Sequence, residues 1–126
     1  MSHIAPISMK VASTISAYRI VTCTTGTANT VKVPASATER PIGITADSVL
    51  DTTSSIPVAF SGIQKLYFND TVTSGNLVAS DSSGRGVPHV DTTAGSYVVG
   101  VLIGATVAAT GTIADVLIGP HFKSIP

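Results

Sequence analysis

Three histidines, one cysteine and a few carboxylates are the residues with which this chain could do chemistry. His3, His89 and His121 lie far apart, and none stands at metal-ligand spacing from another histidine or from Cys23. Zinc sites are built from closely spaced Cys and His pairs, so metal chemistry has no motif here. Cys23 lies in a strand-like run without a histidine or basic residue beside it to lower its pKa. It reads as a small core or half-buried thiol, and as a lone cysteine it cannot form an intramolecular disulfide. Asp81-Ser82-Ser83-Gly84-Arg85-Gly86 has an acidic start but lacks the further carboxylates and closing Glu of a calcium loop. It reads as a hairpin turn. Glu39 is the single Glu, with no carboxylate at a spacing suited to acid–base work. Arg40 beside it reads as a solvated loop charge. No phosphate-cradling loop or nucleophile elbow occurs. Tyr67-Phe68, after Lys65, reads as core or rim packing. The expectation is no enzyme, no cofactor and no metal.

The elements that would position such residues follow from composition. The chain has 126 residues, enough for one domain with a real core. Seven Lys and Arg balance seven Asp and Glu, so the formal net charge is zero. That leaves no electrostatic footprint for nucleic acid or an anionic membrane. A hydroxyl-rich, weakly charged exterior suits a protein that packs against other proteins. Met1–Lys10 has neither a basic n-region nor an apolar h-region, so no signal peptide is expected. The Asn69-Asp70-Thr71 sequon is then a chance match.

Val, Ile and Thr together form about a third of the chain, while Glu and Gln occur once each and Leu five times. This is a strand-forming composition. Tyr97–Gly119 is long and apolar enough to raise the question of a membrane span. Gly100, Gly104 and Gly111 interrupt it, its β-branched residues suit a pleat, and no basic residues flank it. It reads as two strands, 97–103 and 112–118. Further strands are expected at 18–23, 30–33, 41–46, 56–61, 63–68, 76–80 and 87–90, with one helical turn at 47–50 and Pro120 ending the last strand.

Pro41–Gly62 lies over Val98–Gly119 at an offset of 57 residues, so that Gly43 meets Gly100, Ile56 meets Ile113 and Gly62 meets Gly119. The same offset places Ile20-Val21 on Leu77-Val78 and the Thr25–Asn29 turn on Ser82–Gly86. Two copies of one unit, 15–62 and 72–119, are therefore expected. Neither can bury its apolar face alone. The expected fold is all-β: a compact β-barrel or sandwich of two similar strand-rich halves, with the repeated stretches in equivalent places of one barrel. Residues 1–14, with apolar Ile4, Ile7, Met9 and Val11, are expected as an extended arm before a single domain at 15–120. Residues 121–126 are expected as a tail.

The run P-I-G-I-T-A at 41–46, the S-I-P-V-A-F-S-G at 55–62 and the V-V-G-V-L…G-T-I-A-D-V-L-I-G-P at 98–120 resemble the small capsid decoration (cement) proteins of tailed bacteriophages. The resemblance covers about residues 15–120 and rests on strand patterns, not on signature residues. It implies a β-barrel on the outer surface of the capsid in the virion. It also implies a homotrimer that binds the major capsid protein and bridges neighbouring capsomers, with no small-molecule substrate, nucleic acid or membrane. The arm would reach the capsid, placing His3, Ile4, Pro6, Ile7, Met9, Lys10 and Val11 at the contact. Other readings are a head-fibre base or tail component, or a small ligand-binding β domain.

Overall fold

The computed structural model describes residues 7–11, 13–36, 38–48, 55–89 and 97–123, with side chains to residue 118. Ten strands follow in order: β1 (Ile7–Val11), β2 (Ile20–Cys23), β3 (Thr30–Lys32), β4 (Gly43–Thr45), β5 (Ser55–Ala59), β6 (Gly62–Tyr67), β7 (Leu77–Ser80), β8 (Gly86–Pro88), β9 (Tyr97–Leu102) and β10 (Ile113–Lys123). Their β-branched content and punctuating Gly, Asn and Asp turns are what favour short antiparallel strands. No described element is a helix long and apolar enough to cross a membrane, and the apolar stretch 97–119 supplies β9 and most of β10. Of the helical turn expected at 47–50, residues 49 and 50 lie outside the described residues, and Asp47-Ser48 carries no helical turn.

The first five strands form a closed barrel in the order β1-β3-β2-β4-β5, and the last five form a sheet in the order β6-β10-β9-β7-β8. These are the same topology. Read from its first strand, each half runs first, fifth, fourth, second, third. The first half closes through the parallel pairs Lys10–Thr30 and Val11–Val31. Its counterpart is the parallel bridge between Phe68 and Gly86, where the Asn69 amide donates to the Gly86 carbonyl at 2.9 Å. The two halves thus share one strand order, with five strands in each where the sequence suggests four, and they form two sheets, not one barrel.

Two sequence expectations are corrected here. Ile7–Val11 is not a free arm but the first strand of the first unit, paired antiparallel with β5 from Ile7–Val58 to Lys10–Ser55. The last strand does not stop at Pro120 but continues to Lys123, with a register shift between Ile118 and Phe122. Proline has no N–H to give a ladder, so it is accommodated where the pairing is irregular.

Val11, Ile15, Val21, Val31, Ile56 and Val58 fill the first barrel. A second cluster joins Leu66, Phe68, Val72, Val78, Val99, Leu102, Val107, Val116 and Ile118 to Ile20, Ile44 and Ala59 of the first half. The halves therefore share buried side chains. Gly43 and Gly100 allow close strand approach: a Cβ on either would overlap a carbonyl oxygen, that of Ala59 or of Leu117. Tyr18 holds φ at 63° where the chain enters β2. A bulky residue is rarely left-handed. Here the Tyr18 amide donates to Thr45 and its carbonyl accepts from Tyr67, both at 2.9 Å.

Candidate interaction surface

Asp81 and Glu39 are used locally. The Asp81 carboxylate accepts from the Ser83 and Arg85 amides at 2.8 Å and from Arg85 Nε at 2.9 Å. It ties the β7–β8 turn together, as the sequence suggests. Glu39 caps the 34–40 loop: it accepts from the Ala35 amide and pairs with Lys32 at 3.3 Å. Those contacts, the backbone bond first, hold its carboxyl below the ordinary value. Arg40 is exposed, with its guanidinium 5.7 Å from the Tyr97 ring centre. Cys23 is exposed, against the expectation of a buried or half-buried thiol. It ends β2 where the chain leaves the barrel for the turn, and the counterpart Ser80 is the buried one. Among the described residues no group of three His, Cys, Asp or Glu could hold a metal ion. His89 is half-buried, and its amide donates to the Leu77 carbonyl at 3.1 Å.

Tyr67 and Phe68 divide as strand alternation requires. Phe68 is fully buried, and Tyr67 lies half-buried under the Arg19 guanidinium, 4.2 Å from its ring centre. Burial, opposed by Tyr67, lowers the Arg19 pKa. This cation–π pair spans the junction of the two halves.

Of the expected arm contacts, His3, Ile4 and Pro6 lie outside the described residues. Ile7, Met9, Lys10 and Val11 all belong to β1. Val11 is in the core, Met9 packs against it, and Ile7 and Lys10 are exposed. The backbone at Lys10 is paired on both sides, to Thr30 and to Ser55. Added-strand pairing needs a free edge, so β1 cannot supply it while the barrel is closed.

Besides Ile7, exposed apolar side chains line the second sheet. Across the second sheet, Ile63 stands opposite Leu117, Leu117 opposite Val101, and Val101 opposite Leu77. One row thus crosses β6, β10, β9 and β7 on the outward face. Lys65 and Asp115 face each other in the next row, joined at 3.4 Å, and Ile113 lies opposite Tyr67 beyond them. Reading 97–119 as core strands missed this surface. Its signal was present: β10 is apolar at Ile113 and Leu117 as well as at Val116 and Ile118, the pattern of a strand to be covered on both faces.

No protein-family model and no curated protein matches the sequence. Among solved structures, the fold is similar to "The crystal structure of head fiber gp8.5 N base in bacteriophage phi29", with a TM-score of 0.68 and 15% identity over 94% of this chain and 95% of that chain.

Proposed function

We propose that this chain is a structural protein of a tailed-bacteriophage virion, mounted on the outside of the head, where it bridges neighbouring capsomers and stabilises the shell. The observation that carries the reading is the likeness to a head-fibre base over 94% of the chain. The broad apolar row on the outward face of the second sheet supports a binding role. The mechanism is multivalent. A protein that touches several coat subunits at once gains affinity from each additional contact, and expansion of the shell must break those contacts. Acting as a homotrimer, it matches a three-fold lattice site with a three-fold ligand. With β1 held in the barrel, His3, Ile4 and Pro6 remain as the terminal residues that reach the major capsid protein. Because the chain carries zero formal net charge, attachment tolerates salt.

A second reading, that the chain is itself the base of a head fibre, is favoured by the same fold likeness. Both readings are tested by co-sedimentation of the purified chain with empty shells at low and high salt, followed by heating. The proposal expects salt-tolerant binding at saturating copy number and a rise in the temperature at which shells open. Binding to a few sites without a change in opening temperature favours the fibre base. No binding to shells overturns both.

A further inference from the structure

The junction of the two halves gathers two arginines around one tyrosine. Phe68 and Gly86 form a parallel bridge with their inward sides together, since a Cβ on Gly86 would stand 2.7 Å from Phe68 Cδ2. Successive residues of a strand face opposite ways. Tyr67 and Arg85, one residue before each, therefore lie side by side on the outer side. Arg19 reaches the same place from the first half. The Ile20 amide donates to the Gly84 carbonyl at 2.6 Å, and the Arg19 guanidinium lies 4.2 Å from the Tyr67 ring centre. Burial lowers the Arg19 pKa, Tyr67 opposes this, and the nearby Arg85 charge lowers it further.

The cluster is short of one negative charge. Among the described residues, Asp81 is the one carboxylate that acts on Arg19. It is already engaged by the Ser83 and Arg85 amides and by Arg85 Nε. Arg19 Nη1 donates to the Ala17 carbonyl at 2.9 Å. The other side-chain N–H groups of the two arginines meet no acceptor among the described residues. Arg19 is half-buried and the Arg85 side chain is 33% exposed, so both are open to a partner and partly shielded from water.

We propose that Arg19 and Arg85 together receive one carboxylate, an Asp or Glu side chain of the coat protein, at the junction of the two halves. That the partner is a protein rests on the proposed function; the chemistry of the contact is read from the cluster. Guanidinium forks match the two oxygens of a carboxylate. One carboxylate brings the two guanidiniums and Asp81 to zero charge, whereas a phosphate dianion would overshoot it. A partly buried ion pair is screened less than an exposed one, so the contact accords with salt-tolerant attachment. Because the two arginines come from different halves, the pair exists only while the halves are docked.

The test measures binding to empty shells for wild type, Arg19→Gln, Arg85→Gln and the control Arg40→Gln, which removes an exposed charge outside the cluster. The first two are expected to bind about tenfold more weakly with unchanged circular dichroism spectra, and the control to bind as wild type does. Equal binding by all four, or an equal loss in the control, overturns the inference and leaves the proposed function standing. Failure of wild type itself to bind shells is the failure of the proposed function. A second measurement then decides the inference, and it needs neither shells nor a folded variant. The Nε–H signals of the three arginines of wild type are followed by NMR during titration with glutarate, and separately with inorganic phosphate, at constant ionic strength. Saturable shifts of Arg19 and Arg85 with glutarate, with Arg40 unmoved, are expected. Shifts with phosphate alone, equal shifts of all three arginines, or no shift at Arg19 or Arg85 overturn the proposal.

Discussion

Replacing Gly100 with alanine tests the fold at its tightest point. Gly100 lies on β9 opposite Ile118 of β10, between the pairs Val101–Leu117 and Val98–Phe122. An added Cβ would overlap the Leu117 carbonyl oxygen and stand 3.0 Å from its carbon and 3.1 Å from Ile118 Cα. All three atoms are backbone, so no side chain can swing aside. The two strands must part, straining the pairs on either side. Overpacking costs about 1–3 kcal/mol, and each weakened ladder hydrogen bond adds about 1 kcal/mol. The stiffer unfolded chain returns about 0.4–1 kcal/mol. The net expectation is a loss of about 3 kcal/mol. With a urea slope of about 1–3 kcal/mol per molar, the midpoint should fall by well over half a molar unit. Gly43→Ala should behave alike, because its Cβ would overlap the Ala59 carbonyl and stand 2.8 Å from Val58 Cγ1. Gly26→Ala and Gly62→Ala are the controls. Both positions are open for 4 Å around, with φ of +82° and +80°, so only the left-handed backbone penalty of about 1–2 kcal/mol applies. Equal midpoints for all four variants would refute the steric reasoning, and a neutral Gly100→Ala would refute the strand register.

Other outcomes follow from the same structure. Ile44→Ala, between the halves, should cost about 2–4 kcal/mol in urea melts, whereas the exposed Leu77→Ala should cost under about 1 kcal/mol at concentrations where the chain is dissociated. Asp81→Ala should loosen the β7–β8 turn and cost about 1–2 kcal/mol, seen as faster hydrogen exchange at the Ser83 and Arg85 amides. Glu39 is held below its ordinary value of 4.5 by the Ala35 amide and then Lys32. A depressed carboxylate adds stability above its unfolded-state pKa and loses it as pH falls through the folded-state value. The midpoint advantage of wild type over Glu39→Gln should therefore be full near neutrality and shrink below pH 4.5. An advantage that grows with acid would contradict the loop geometry.

Most of the fold was legible because its signals are local. Strands β2 to β9 fall where β-branched runs stand between Gly, Asn and Asp turns, and the offset of Gly43 from Gly100 marks two positions with the same steric need. What was not legible is non-local. Ile7–Val11 looks like a terminal arm because its partners are residues 55–58 and 30–31, too remote in sequence to announce themselves. Once β1 and β6 are counted, the repeat gains its missing strand. Exposure of the outer row was equally hidden. Ile20 and Leu77 are similar residues at equivalent places, and they differ only in whether another half follows them in space. Cys23 and Ser80 differ in burial though they end equivalent strands.

The central claim, that the chain stands on the outside of a phage head and bridges its coat subunits, is tested most directly by a cryo-electron microscopy map of purified virions that carry it, at a resolution that traces side chains. The account predicts two linked five-stranded units per copy, seated at regular positions on the outer head surface where coat subunits meet. Density confined to the tail or to the inside of the head, or no density for the chain on the particle, would contradict it.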